Sequence, residues 1–186
     1  MANDTGLHDK VLQDTRRWLE RAVIGLNLCP FAKAVYVKHQ VRLACCEGAD
    51  FAPVLERLDA EIDGLLACAP AERDTTLLAV PQGFDEFLVF DALVAQAERR
   101  LARRGLEGVL QLASFHPRFV FAGEDEDAIA NFTNRSPWPL LHLLREDSMD
   151  RAVAAFPQAD AIYEANIRAL SALGAEGWHA LGVGKS

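Results

Sequence analysis

Thr75-Thr76-Leu77-Leu78-Ala79-Val80 is the stretch on which the fold turns. Two β-branched residues lead an uninterrupted apolar run, as expected of a strand covered on both faces. Upstream, Asp50 is a suitable cap for a helix over 51–67, in which Val54, Leu55, Leu58, Ile62, Leu65 and Leu66 form one apolar stripe. Downstream, a long helix over 84–104 stops at Gly105. Beyond these helices lie two more strand patterns, at 41–46 and 108–115. Strand, helix, strand, helix, strand with short connections predicts right-handed crossovers and parallel pairing. Residues 140–145 read as a fourth strand, because Pro137 and Pro139 crowd its start and Ser148 makes a good later cap. The expected fold is α/β: a single domain over 1–186, with a small, mostly parallel four-stranded sheet covered by about six helices.

The first helix is expected over 7–26, where Val11, Leu12, Trp18, Leu19, Ala22, Val23 and Leu26 recur at helical spacing. It runs into Asn27-Leu28-Cys29-Pro30. Proline cannot extend a helix and pushes the residue before it toward an extended conformation, so Cys29 falls in irregular backbone. After the fourth strand, Ser148 should cap a short helix through 156, and Asp160 a last helix ending at Gly174. The tail over 175–186 carries no assignment.

At 186 residues, 51% of them hydrophobic and 25% charged, the chain can bury one sizeable core. No apolar run approaches the ~18–20 residues that span a bilayer, and Met1-Ala2-Asn3-Asp4-Thr5-Gly6 lacks a secretory signal pattern. The expected location is the cytoplasm, with no membrane partner. A formal net charge of −8 repels phosphate backbones, which argues against nucleic acid. The one basic cluster, Arg99, Arg100, Arg103 and Arg104, closes a helix, where cations suit the dipole. Cys29, Cys45, Cys46 and Cys68 match no zinc spacing, and four free thiols are expected. Cys45, Cys46 and Cys68 are assigned to packing.

Ligands of open parallel sheets bind beyond the carboxyl ends of strands. That directs attention to His116 and to the long segment over 116–137 that it begins. His116 could act as a general acid or base, or cap the strand by bonding to backbone. Asn131, Thr133, Asn134, Arg135 and Ser136 offer the donors a carboxylate or phosphate requires, although Asn, Ser and Pro also favour turns. Arg118 and Arg145 add cations near the same strand ends. Glu124-Asp125-Glu126-Asp127 lacks the pattern of a calcium loop and reads as charge at a helix start. His142 is a second imidazole candidate, with a core histidine as its rival reading. Cys29 would become nucleophilic if a cation lay beside it, and would be inert if packed.

Four motifs together, Asn27-Leu28-Cys29-Pro30-Phe31-Ala32, His116-Pro117-x-Phe119, Asn131-x-Thr133-Asn134-Arg135-Ser136-Pro137 and His142-Leu143-Leu144-Arg145-Glu146, resemble the bacterial domain-of-unknown-function family numbered fourteen-fifteen. The resemblance spans nearly the whole chain and implies no activity, substrate or cofactor. Its hallmark positions are those selected above, which favours Cys29, His116, Asn134, Arg135 and His142 forming one site.

Two readings follow. In the first, an enzyme acts on a small anionic substrate, with His116 as acid or base, Arg135, Asn134 and Asn131 holding the anion, and Cys29 or His142 assisting. In the second, a non-catalytic sensor or regulatory module captures an anionic metabolite in the same pocket. A zinc site from Cys29, His116 and His142 has no short ligand pair behind it, so no metal is expected. No cofactor is expected either: no Gly-x-Gly-x-x-Gly follows a strand, and Gly182-Val183-Gly184-Lys185-Ser186 imitates a phosphate loop without the helix that such a loop needs.

Overall fold

The computed structural model describes residues 4–155 and 161–186. Helix α1 (Asp4–Trp18) passes directly into a π-helical stretch (Leu19–Ile24), followed by α2 (Ala32–Val37), β1 (Val41–Cys45), α3 (Phe51–Leu66), β2 (Thr75–Ala79), α4 (Phe87–Arg103) and β3 (Leu110–Phe115). A 3-10 segment (Ile129–Asn134), β4 (Leu140–Arg145), α5 (Glu146–Ala154) and α6 (Ile162–Ala180) complete the order.

The sheet order is β1-β2-β4-β3. β1 and β2 pair in parallel, while β4 is antiparallel to both of its neighbours, β2 and β3. The sheet is therefore mixed, which corrects the mostly parallel sheet expected from the strand-helix alternation. The first three strands do share one direction. The crossover through α4 leaves a gap one strand wide between β2 and β3, and β4 runs back into it. Leu77 and Ala113 flank His142 in register. One consequence reaches the candidate site: the carboxyl end of β4 lies at the opposite end of the sheet from the carboxyl ends of β1, β2 and β3.

Each face of the sheet carries its own core. On one, α3 and α4 bury Val54, Leu58, Ile62, Phe90, Leu93 and Ala97 against Leu78, Leu141 and Leu143. On the other, α1 and the π-helical stretch bury Val11, Trp18 and Ala22 against Cys45, Leu77, Ala79 and Leu140. Full burial of one such side chain is worth about 1.5–3 kcal/mol. Cys45 and Cys46 fall in different cores, as alternation along a strand requires, and all four cysteines are free thiols. The edge strand β1 is guarded by charge. Arg42 forks onto the buried Glu61 of α3 at 2.7 and 3.1 Å. Burial alone would raise the Glu61 pKa; Arg42, with Arg57 and Arg73 behind it, outweighs that and holds it low.

One boundary expectation needs correction. α5 begins at Glu146, so Ser148 lies inside the helix, where its hydroxyl donates to Asp74 at 2.6 Å instead of capping. Gly174, at the non-helical φ 67° and ψ 176°, ends the first helical segment of α6 as expected, and a second segment runs on to Ala180. The expected cap Asp160 and the expected helix end at 156 lie outside the described residues. Among the described residues no helix is long and apolar enough to cross a membrane.

Candidate functional site

The residues chosen from sequence do not meet in one place. Arg135 lines a cleft of about 780 Å3 at the carboxyl end of β3, Cys29, His142 and Arg145 line a cavity of about 360 Å3 toward the other end of the sheet, and His116, Arg118, Asn131, Thr133 and Asn134 line neither. Cleft and cavity share no lining residue. Trp18 lines neither; it is buried in the core that also holds Leu19 and Leu77 of the cavity, edge-on to Phe115 at 5.1 Å, and donates its indole N–H to the Arg135 carbonyl at 2.8 Å. The π-helical stretch reaches both: Leu19 lines the cavity and Arg21 the cleft.

The cleft is cationic. Arg17, Arg21, Arg135 and Lys185 line it beside His179, and among the described residues no aspartate or glutamate does. Arg17 and Arg21 are one turn apart and hold the C-terminal tail, Arg17 Nε on the Gly182 carbonyl at 2.8 Å and Arg21 on the Leu181 carbonyl at 2.9 Å. Arg17 also pairs with the fully buried Asp14, which accepts from Trp138 Nε1 and the Ser186 amide, each at 3.2 Å. Lys185 lies 4.3 Å over the Trp138 ring and 3.2 Å from Asp85. Arg135 stacks 4.4 Å over Phe132 and donates to the Glu126 carbonyl, while its Nε is buried with no partner among the described residues. Burial lowers the Arg135 pKa, and Glu126 and Asp127 counter this from beyond ion-pair range. Among the described residues, Arg21 and Arg135 bond only to neutral carbonyls, so their charges are uncompensated at close range.

Of the expected anion cluster, Arg135 and Ser136 line this cleft, and the Ser136 hydroxyl donates to the Trp138 carbonyl at 2.6 Å. Asn131 is fully buried and staples the preceding loop, accepting from the Phe121 amide at 2.9 Å and donating to the Asp125 and Glu126 carbonyls. Asn134 donates to the Ser114 carbonyl at 3.1 Å, tying the 3-10 segment to the free edge of β3. The Thr133 hydroxyl is buried without a partner among the described residues. Arg118 forks onto Glu86 on the surface, and Arg145 donates to the carbonyls of Leu65, Cys68 and Arg73. The acids Glu124–Asp127 precede the 3-10 segment, and no cluster of metal-ligating side chains occurs among the described residues.

His116 is sealed. It is fully buried, stacked on Phe90 at 5.2 Å, and both ring nitrogens are in use. The Arg118 amide donates to Nδ1 at 3.0 Å, so Nε2 carries the proton and donates to the Phe84 carbonyl at 2.9 Å. Burial lowers its pKa, partly offset by that carbonyl, which keeps the ring neutral. His116 thus ties the exit of β3 to the turn after β2, and offers no ring nitrogen to a substrate. Gly83 completes that turn at φ 79°, where a Cβ would sit 2.0 Å from the Ala49 carbonyl oxygen.

The cavity holds Cys29 and His142. Thr75 Oγ1 lies 2.5 Å from His142 Nε2 and 2.7 Å from the Leu143 carbonyl. A carbonyl only accepts, so the hydroxyl proton goes to Leu143 and His142 must donate through Nε2–H. Nδ1 is left as an acceptor without a partner among the described residues. Burial pushes the His142 pKa down to about 4, so the ring stays neutral. Burial also pushes the Cys29 thiol up, and the backbone N–H groups of Phe31 and Ala32 pull it only part of the way back. No cation activates it, and Cys29 remains a thiol.

Sequence reasoning passed over Arg17, Arg21, Lys185, His179 and Thr75. The pairing of Arg17 with Arg21 at helical spacing was a visible signal. The role of the tail was not visible, because nothing local tells a chain end to fold back over α1.

One mixed four-stranded sheet, helices on both faces and a motif set divided between its two ends define an α/β protein of this type. A family model described as a protein of unknown function, DUF1415, matches residues 10–180, and the chain belongs to that family. No curated protein and no solved structure matches it.

Proposed function

We propose that the protein binds a small anionic molecule bearing a phosphate or carboxylate in the cleft between α1, the 3-10 segment and the C-terminal tail. The observation that carries this reading is the pair Arg21 and Arg135. Both are guanidiniums with only carbonyl partners, in a lining without acids, on a chain of net charge −8. A guanidinium offers a carboxylate or phosphate two parallel N–H bonds. The partly buried position of Arg135, with Phe132 beneath it, raises the worth of that bond. The acidic surface elsewhere favours a compact anion over a nucleic-acid backbone.

Isothermal titration with inorganic phosphate, pyrophosphate and citrate at low ionic strength tests this. Arg21→Ala and Arg135→Ala should each weaken the best of the three by about tenfold or more, with the melting curve little changed. The surface variant Arg118→Ala should bind as the parent does. Equal binding by all three variants, or no binding of any anion, refutes the reading. Esters of the bound anion then separate the two forms of the proposal: turnover marks an enzyme, and saturable binding without turnover a sensor or regulatory module.

A further inference from the structure

We infer that the cavity at the far end of the sheet is a second ligand site, taking a neutral, mostly apolar small molecule whose single hydrogen-bond donor meets His142 Nδ1. This site is independent of the anion cleft. About 360 Å3 lies at the small end of the range for ligand pockets. Its walls are apolar, with Leu19, Val35, Val41, Leu77, Leu144 and Met149 prominent. The polar side chains at its rim are already engaged. Arg145 is spent on the carbonyls of Leu65, Cys68 and Arg73. Asp74 accepts from Ser148. Thr75 is held between His142 and the Leu143 carbonyl.

What remains is the Nδ1 lone pair. The Thr75 hydroxyl cannot reverse its bond without leaving a carbonyl facing an oxygen lone pair, so the ring is locked with its acceptor side unpartnered. An acceptor in an apolar wall selects a donor. A carboxylate brings none, and although Arg145 has no acidic partner among the described residues, its Nε and Nη2 donors are committed to the Leu65, Cys68 and Arg73 carbonyls and Asp74 stands on the same rim. An ammonium brings a donor but loses its hydration for a single bond. An uncharged alcohol or phenol meets both conditions. Cys29 on the same wall supplies a reporter, because a bound molecule covers its sulfur.

The full-length chain is titrated with phenol, with anisole, which has the same shape without the donor, and with benzoate. Binding is followed by amide NMR shifts and by the rate at which iodoacetamide alkylates Cys29, resolved by mass spectrometry. Phenol should bind saturably and slow Cys29 alkylation, with anisole and benzoate at least about tenfold weaker at this site. The preference for phenol over anisole should vanish in His142→Phe and shrink in Thr75→Val, which keeps the ring and removes its anchor. Ring 15N shifts of the unaltered protein should place the His142 proton on Nε2, a readout that needs no variant to fold. A proton on Nδ1, equal binding of anisole and phenol, or phenol binding without protection of Cys29 overturns the inference. Benzoate captured at Arg21 and Arg135 instead is recognised by its loss in those variants and by an unchanged Cys29 rate.

Discussion

The two ends of the sheet solve the problem of charge in opposite ways. At the cleft, Arg17 and Lys185 pair with Asp14 and Asp85, but Arg21 and Arg135 hydrogen-bond only to carbonyl oxygens among the described residues. At the cavity, the charged side chains are consumed by structure and a neutral imidazole faces an apolar space. Yet the same two reactive types, arginine and histidine, were singled out from sequence at both ends. Residue type therefore says little until the partners are known. Arg145 and Arg135 are both arginines near a strand end; one clamps the end of α3 and the other faces the cleft with an unpartnered Nε. His116 and His142 are both buried imidazoles with lowered pKa, and they differ in whether a nitrogen is left over.

The comparison breaks most visibly at Trp18. Trp18→Ala removes a buried indole that packs in one core with Leu19 and Leu77 of the cavity and holds the Arg135 carbonyl at the cleft. It should cost about 3–5 kcal/mol in urea unfolding, and weaken phosphate at the cleft and phenol at the cavity together. Loss at one end alone would show that the ends do not both depend on Trp18.

Asn131→Ala sharpens it. Three bonds to the loop over 117–128 disappear, for about 2 kcal/mol of stability. Phosphate affinity should fall with them, since Arg135 leans on the Glu126 carbonyl that Asn131 also holds, while phenol binding stays unchanged. Titration of both ligands on one sample measures this directly.

A smaller effect separates the ends by pH. His142 stays neutral in the fold down to about 4, whereas an unfolded histidine takes its proton near ~6.5. Between those values the unfolded chain holds more protons, so stability is fully present above about 6.5 and is lost as pH falls toward 4. The contribution approaches about 1.4 kcal/mol per pH unit. His142→Phe should flatten the stability–pH curve by that slope in this window and leave the cleft untouched. An unchanged slope would mean that the ring is not buried neutral. The smallest effect is expected at Arg118→Ala, which removes an exposed pair with Glu86 at neither site and should shift stability by no more than about 0.5 kcal/mol.

Much of this was legible in the chain before folding. The apolar run at Thr75–Ala79, the stripe of α3 and the prolines ahead of β4 determined the type of each element, because periodicity and turn chemistry are local. The motif set also pointed to the family that its match over 10–180 shows. Strand direction was not local. An apolar strand reads the same along the sheet in either sense, so nothing in Leu140–Arg145 said that it runs back between β2 and β3. That reversal placed Arg145 at the end of the sheet away from His116, while His142, mid-strand between Leu77 and Ala113, turns to the α1 face where Thr75 takes its Nε2, and His116 packs on Phe90 of α4. Which nitrogens, guanidiniums and hydroxyls keep a free bond was likewise decided only in three dimensions. Their partners, Phe84 for His116, Thr75 for His142 and Leu181 for Arg21, lie 32, 67 and 160 residues away.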